Sequence, residues 1–594
     1  MSVYKTRLDN FQQELKKVKQ KHGTVSLLRL TAFLLLVFSW FYLITIHFTL
    51  GIVAGSTLII LFFVLLKWHK RIEDQRDFLK QLCDINQQEL QCSQGNYQSF
   101  PAGDAFVDHS HPYSYDMDLF GPGSLFQYLN RTISIGGEKK LARWLSQTPL
   151  PEASITKHQQ AIQELAPQID LRQNFHAHGS LVKPDDKEDQ LIKNWLHLPS
   201  FFAYKNWAAV YLWLVPAFNL TIIGLAIGGT IPGTSILYLI LANLALVGSK
   251  IKRFNKAYFY LNKSHNSLKK MQQLLCISES VPAEAPLLKE LRSNLFHQGI
   301  PASKQIKQLT KLLDALDNRN NLIVGLILNS LLLWDWNLLF RIERWQKNHR
   351  PDYEKWQETL AYFDALCSLA GFAFNHPDYT YAELSPAEFE FEAQQIGHPL
   401  LPAQVRICND FSLNQNPRYA IITGANMAGK STFLRTIATN LVLAGCGAPV
   451  CAKHLRFTPL PMHSSMRAED SLMKNESYFF AELKRLQRIT QELDKGEKLF
   501  IILDEILRGT NSEDKRKGSI GFVKKITTKQ AYGLVATHDL ELARLAEQQP
   551  GTFKALCFEV AIKNNELQFD YKLQPGVTKN MNASFLMKQM GIID

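Results

Sequence analysis

Residues 423–432, TGANMAGKST, constrain the fold of this 594-residue chain more tightly than any other stretch. They match G-x-x-x-x-G-K-[ST] through Gly424, Gly429, Lys430 and Ser431. Such a loop works only between a strand and a helix. RYAII before it reads as a short apolar strand, and STFLRTIATNLVLAG after it reads as a helix. In that setting glycines let backbone N–H groups turn inward, and the helix N-terminus adds partial positive charge around phosphate oxygens. The cradle is expected to be Gly424, Ala425, Asn426, Met427, Ala428, Gly429, Lys430, Ser431 and Thr432. Lys430 is placed to reach the outer phosphates of ATP, and Ser431 to ligate Mg2+.

Two regions break the soluble pattern. LTAFLLLVFSWFYLITIHF (30–48) and LGIVAGSTLIILFFVLL (50–66) carry no charge and are nearly contiguous. AAVYLWLVPAFNLTIIGLAIG (208–228) and IPGTSILYLILANLALV (231–247) repeat the arrangement. Each is about as long as a bilayer-crossing helix needs, so two transmembrane helical hairpins are expected, at 30–66 and 208–248. Lys16, Lys17, Lys19, Lys21 and Arg29 precede the first, Lys67, Lys70 and Arg71 follow it, and Lys250, Lys252, Arg253 and Lys256 follow the second. Neither tip carries Lys or Arg, so the positive-inside bias puts both tips outside and everything else in the cytoplasm. The charged N-terminal residues argue against a cleaved signal peptide. A fifth apolar run, NLIVGLILNSLLLWDWNLLF (321–340), holds Asn329, Asp335 and Asn337 and is expected to be a long core helix.

The net charge of +12 suits a polyanionic partner, either DNA or an anionic lipid bilayer. The eight cysteines are scattered without a C-x-x-C pair, which excludes metal-ligand spacing and a disulfide framework.

Outside the apolar runs, SLFQYLNRTISIGGEKKLARWLSQTPLPEASITKHQQAIQEL (124–165) reads as helix, turn, helix, and as a string it resembles the start of the core domain in MutS-family mismatch-repair ATPases. TGANMAGKST resembles that family's P-loop, with Ala425 where proline is usual. HPLL (398–401) and Asn409-Asp410 resemble its run-up, and the tail FEVAIKNNELQFDYKLQPG (558–576) its closing hairpin, turning at Asn564 and Asn565. The resemblance implies an α/β P-loop ATPase domain of the ABC class plus an all-α core and lever domain. LFIILDEILRGTNSED (499–514) ends a buried strand in two acids. Asp504 is then expected to hold Mg2+ and Glu505 to polarise the attacking water. In YGLVATHDLEL, His538 takes the place of the family's switch histidine near the γ-phosphate. MRAEDSLMKNESYFFAELKRL (466–486) resembles the segment whose serine approaches the partner subunit's nucleotide, which makes Ser477 a trans contact and a homodimer the working unit. Asn475 and Leu507 stand where the family has glycine.

The expected organisation is a cytoplasmic segment at 1–29, hairpin 30–66, linker 67–103, core 104–200, hairpin 208–248, helical lever 250–385 and ATPase domain 386–594. No mismatch-reading domain fits ahead of residue 100, and no LSGGQ-like string of ABC transporters occurs. The reading is an integral-membrane ATPase with a mismatch-repair-like action on DNA. The alternative keeps the ATPase as a membrane-tethered remodelling or signalling protein without DNA.

Overall fold

The computed structural model describes residues 2–182, 185–200, 202, 206–317, 322–467, 478–563, 566–578 and 593. It opens on a helical hairpin. Helix α1 (Ser2–Phe38) runs on through a π-helical turn (Ser39–Leu43) to Ile46, reverses at extended His47, and returns as α2 (Phe48–Ser93). Gly51 permits the tight reversal, since a Cβ there would lie 2.5 Å from Ile44 Cγ1. Residues 67–93 therefore continue a helix, where a linker was expected. Nothing from Lys67 to Ser93 is proline or glycine, and Val18, Val25, Leu65, Ile72, Leu79 and Leu82 zip the two helices together. A helix supported by such a partner face needs no cap to persist.

The foot of this hairpin is pinned. Tyr4 Oη donates to Asn375 Oδ1 (2.6 Å), Arg131 Nε donates to Glu89 Oε1 (2.5 Å), and Asn375 Nδ2 donates to Glu89 Oε2 (3.0 Å). Both Arg131 and Glu89 are largely buried, so each satisfies a charge that burial alone would penalise.

Helices α3 (Ile135–Ser146), α4 (Glu152–Leu165) and α5 (Ile169–Ser180) build the core. Next come α6 (Asn206–Ile227) and α7 (Thr234–Gly248), an apolar pair, and α8 (Ile251–Lys263). Three helices among the described residues are long and apolar enough to cross a membrane, Val3–Ile46, Phe48–Ser93 and Val210–Ile227; a fourth requires joining α7 to α8 across a 59° bend.

The run 321–340 is not one long helix. It divides into α9 (Leu322–Leu332) and α10 (Trp334–Asn375), broken at Leu333, whose φ is 48°. Asn329 Oδ1 accepts from Asp335 N (2.9 Å), taking a donor that would otherwise continue the helix. The 42-residue α10 then packs along the core helices, with buried Asp364 accepting from Ser134 Oγ (2.6 Å) at the start of α3.

The C-terminal domain holds two sheets. A six-stranded sheet runs in the order β9 (Glu566–Pro575), β8 (Phe553–Lys563), β3 (Tyr419–Gly424), β7 (Ala531–Ala536), β6 (Leu499–Asp504) and β5 (Met462–Ser465). All neighbours are parallel except β8 with β9. A four-stranded sheet contains β1 (Phe391–Ile396), β2 (Asn409–Leu413), β4 (His454–Phe457) and the short Glu383–Leu384. Strands β3, β6 and β7 are buried throughout, as expected when helices cover both faces. The turn expected at Asn564 and Asn565 lies outside the described residues.

Core and C-terminal domain meet at His158. Its Nδ1 lies 2.9 Å from Cys446 O and its Nε2 lies 2.5 Å from Tyr362 Oη on α10. These partners suit a neutral ring that donates from Nδ1 and accepts at Nε2. Burial pushes its pKa down to about 4. Because the folded value lies below the ordinary value of 6.5, the unfolded chain binds the extra proton between them. This junction's stability is therefore complete above about pH 6.5 and is lost as pH falls toward 4. The thermal midpoint of the wild-type protein should drop across that window, and a smaller drop is expected for His158→Gln, followed by differential scanning fluorimetry.

Candidate functional site

The register of the parallel sheet assembles the site. Ala536 of β7 pairs with Ile422 of β3 on one side and with Asp504 of β6 on the other. The loops leaving the C-terminal ends of three strands therefore lie side by side. They carry Ala425–Gly429, Glu505 and His538. Helix α11 (Lys430–Gly445) starts behind Gly429, whose φ of 104° is left-handed. A Cβ at Gly429 would also stand 3.0 Å from the Tyr571 ring, so glycine serves both conformation and space there.

Lys430 Nζ donates to the loop's own carbonyls, Gly424 O (2.8 Å) and Ala425 O (3.0 Å), and lies 3.3 Å from His538 Nε2. Burial lowers its pKa. Ser431 Oγ donates to Asp504 Oδ2 (2.5 Å). The other carboxylate oxygen, Asp504 Oδ1, is buried without a hydrogen-bond partner, and burial raises this group's pKa. A buried, under-satisfied carboxylate oxygen beside a hydroxyl is a pair of hard oxygens that suits Mg2+.

Glu505 sits at a φ of 47° with Oε1 2.5 Å from His538 Nε2 and Oε2 3.1 Å from Arg508 Nε. Burial alone would raise its carboxyl. The His538 hydrogen bond and the charges of His538, Arg508 and Lys430 outweigh that and hold it at about 2. Of the five expected side chains, Lys430, His538 and Glu505 form one chain of contacts, and Ser431 and Asp504 form a hydrogen-bonded pair beside it. Asn426, Met427, Ala428 and Thr432 line the same cleft, of about 810 Å3, while Ala425 is buried beneath it. Ser477 and Asn475 lie outside the described residues.

Several further residues surround the site without a role in it being marked by the sequence. Tyr571 and His398 form walls of the cleft, and Arg508 lies at its rim. Leu507 adopts a φ of 63°, the left-handed conformation for which glycine is favoured. Glu482, on α12 (Tyr478–Asp494), compensates: its carboxylate accepts from Leu507 N (2.5 Å) and Arg508 N (3.2 Å). Further back, the irregular segment 104–121 straps the core onto this domain. Buried Asp116 accepts from Ser464 Oγ (2.6 Å), Met466 N (3.1 Å), Arg467 N (3.1 Å) and Arg485 Nη1 (3.0 Å). Asp118 pairs with Arg467 and with Arg435 (3.1 Å), which lies on α11 just beyond Lys430 and Ser431. No group of three or more His, Cys, Asp or Glu side chains able to hold a metal ion occurs among the described residues.

Residues 420–589 match the family model for MutS domain V. Among similar curated proteins, MutS protein homolog him-14 of Caenorhabditis elegans is 33% identical over 196 residues, covering 32% of this chain and 22% of that protein. DNA mismatch repair protein MutS of Ehrlichia chaffeensis is 31% identical over 238 residues, 39% of this chain and 29% of the relative. Human MutS protein homolog 4 is 30% identical over 238 residues, 38% of this chain and 25% of the relative. The chain thus spans less than a third of the length of these relatives.

The strap gives a direct expectation. Asp116→Ala strands several donors, of which Arg485 can still reach water, so the cost should be about 2 kcal/mol. Asp116→Asn, which keeps the shape and loses the charge, should cost less. Both are measured as shifts in the denaturant midpoint of the detergent-solubilised protein.

Proposed function

This chain belongs to the MutS family, and on that premise we propose that it is a membrane-anchored ATPase that hydrolyses Mg-ATP as a homodimer and acts on DNA. The observation that carries the reading is the contact chain from Lys430 through His538 to Glu505, beside Ser431 and Asp504. Backbone N–H groups of residues 425–431 bind the phosphates. Ser431 and Asp504 would hold Mg2+, which would supply positive charge against the phosphates.

The remaining steps belong to the chain's own residues. Lys430 exchanges the carbonyls of Gly424 and Ala425 for phosphate oxygens. A carboxylate held near pKa 2 by the His538 hydrogen bond and the neighbouring Arg508 is a poor proton acceptor, so Glu505 must loosen its hold on both to orient water. A γ-phosphate that draws His538 and Lys430 toward itself does that, coupling substrate binding to activation of the base. Ser477 of the second copy is proposed to complete each site.

Membrane attachment is supported by the long apolar helices and by the lysines and arginines that flank them. Action on DNA is supported by the relatives named for mismatch repair and by the net charge of +12. One observation favours a reading without DNA: Lys16, Lys17, Lys19, Lys21, Lys67, Lys70 and Arg71 border the apolar helices, where anionic lipid also accounts for them.

Lys430→Ala should abolish ATP binding, read by a fluorescent ATP analogue. Glu505→Gln should keep binding and lose about 10²–10⁴ in kcat, read as phosphate release; a fully active Glu505→Gln enzyme contradicts the assignment. Affinity for duplex and mismatched DNA should fall steeply between 50 and 200 mM salt, as counterion release requires. Absence of binding at low salt selects the reading without DNA. An impermeant thiol reagent added outside sealed cells should modify a cysteine engineered at Thr230 and leave one at Thr510 unmodified.

A further inference from the structure

The apolar helix α9 (Leu322–Leu332) does not join the helical core. It packs against α6 and α7, the two helices of the second apolar hairpin. Two side-chain amides join it to them. Asn243 Nδ2 donates to Ser330 O (2.7 Å), and Asn219 Nδ2 donates to Leu331 O (2.7 Å). Both asparagines are buried and lie in the interior of otherwise apolar helices. The carbonyls they cap are the last of α9, released where Leu333 breaks the chain into the left-handed region. Leu326 and Ile327 of α9 are more than half exposed, as are Trp213, Leu214 and Phe218 of α6.

In water, carbonyls at a helix end need no such partners, because solvent supplies them. In hydrocarbon each unsatisfied backbone group costs several kcal/mol, and non-helical backbone survives only where protein satisfies it. Placing two asparagines in apolar helices to cap a third is what a helix ending inside a bilayer requires. It is an expensive arrangement anywhere else. The sequence of α9, LIVGLILNSLL, carries no charge.

We propose that α9 is a re-entrant membrane segment: it inserts its Leu326–Ile327 face into the acyl chains beside α6 and α7 and ends within the bilayer on Asn219 and Asn243. This rests on the membrane reading of α6 and α7 above. A re-entrant segment starts and ends on one side, so it adds apolar anchorage without moving the nucleotide site across the membrane. It also fixes the start of α10, the helix that reaches Tyr362 and Asn375, to the membrane unit.

The test uses the full chain in phosphatidylcholine–phosphatidylglycerol vesicles, with Cys276 and Cys408 replaced by serine. Single cysteines at Leu326, Ile327 and, as reference, Phe218 carry a nitroxide label, and power saturation compares collisions with oxygen and with a water-soluble nickel chelate. The expected result is that labels at 326 and 327 behave like that at 218, favouring oxygen. Labels at 326 and 327 that favour the nickel chelate, with 218 in lipid, overturn the re-entrant segment and leave the hairpin standing. All three favouring the chelate overturn both. In the background of Asn219→Leu with Asn243→Leu, which only increases apolarity, the 327 label should become several-fold more accessible to nickel while 218 does not change. No change at 327 overturns the capping role.

Discussion

The register of one parallel sheet fixes everything this domain can do. Strand β7 lies between β3 and β6, and Ala536 is level with both Ile422 and Asp504. His538 and Asp504, 108 and 73 positions along the chain, thereby arrive within hydrogen-bond reach of Lys430 and Ser431. A slip of one residue in either pairing would turn the acid pair toward the opposite face, because side chains alternate along a strand. The full burial of β3, β6 and β7 resists that slip.

Around this sheet the protein keeps the reactive groups restrained by one another. Lys430 is occupied by carbonyls, Glu505 by His538 and Arg508, and Ser431 by Asp504. Even the loop behind Glu505 is held, since Glu482 takes the amides of a leucine in a conformation that glycine would adopt more easily. From there α10 carries mechanical connection outward. It touches the end of the P-loop helix through Tyr362 and His158, the foot of the first hairpin through Asn375, and the apolar helix α9 at its own start. Motion in the loop before α11 would therefore have a short, packed path to both apolar hairpins.

What could be read in advance follows from distance along the chain. The P-loop, the acids after β6 and His538 each declare themselves within a strand, a loop and a few residues, so local pattern suffices. Asp116 and Asp118 do not, because their partners Arg467 and Arg485 lie some 350 residues away and nothing local marks them. Tyr571 lies in the tail that resembles the family's, but its place over Gly429 is set by the closing hairpin and by nothing local. The helicity of 67–93 depends on packing against α1, which no local pattern announces. The break at Leu333 is unannounced for the same kind of reason: no glycine or proline marks it, and the asparagines that cap the helix end before it come from two other helices.

The central claim is that this chain is a membrane-anchored enzyme whose ATP site lies on the side of the lysine-flanked helix ends. Phosphate release from Mg-ATP added to sealed vesicles carrying the purified protein tests it directly, after trypsin has removed every externally exposed ATPase domain. The account predicts two populations: hydrolysis before trypsin from outward-facing molecules, and, after trypsin, hydrolysis recovered only when detergent opens the vesicles. Activity that survives trypsin in sealed vesicles, or that washes off them at high salt, would contradict it.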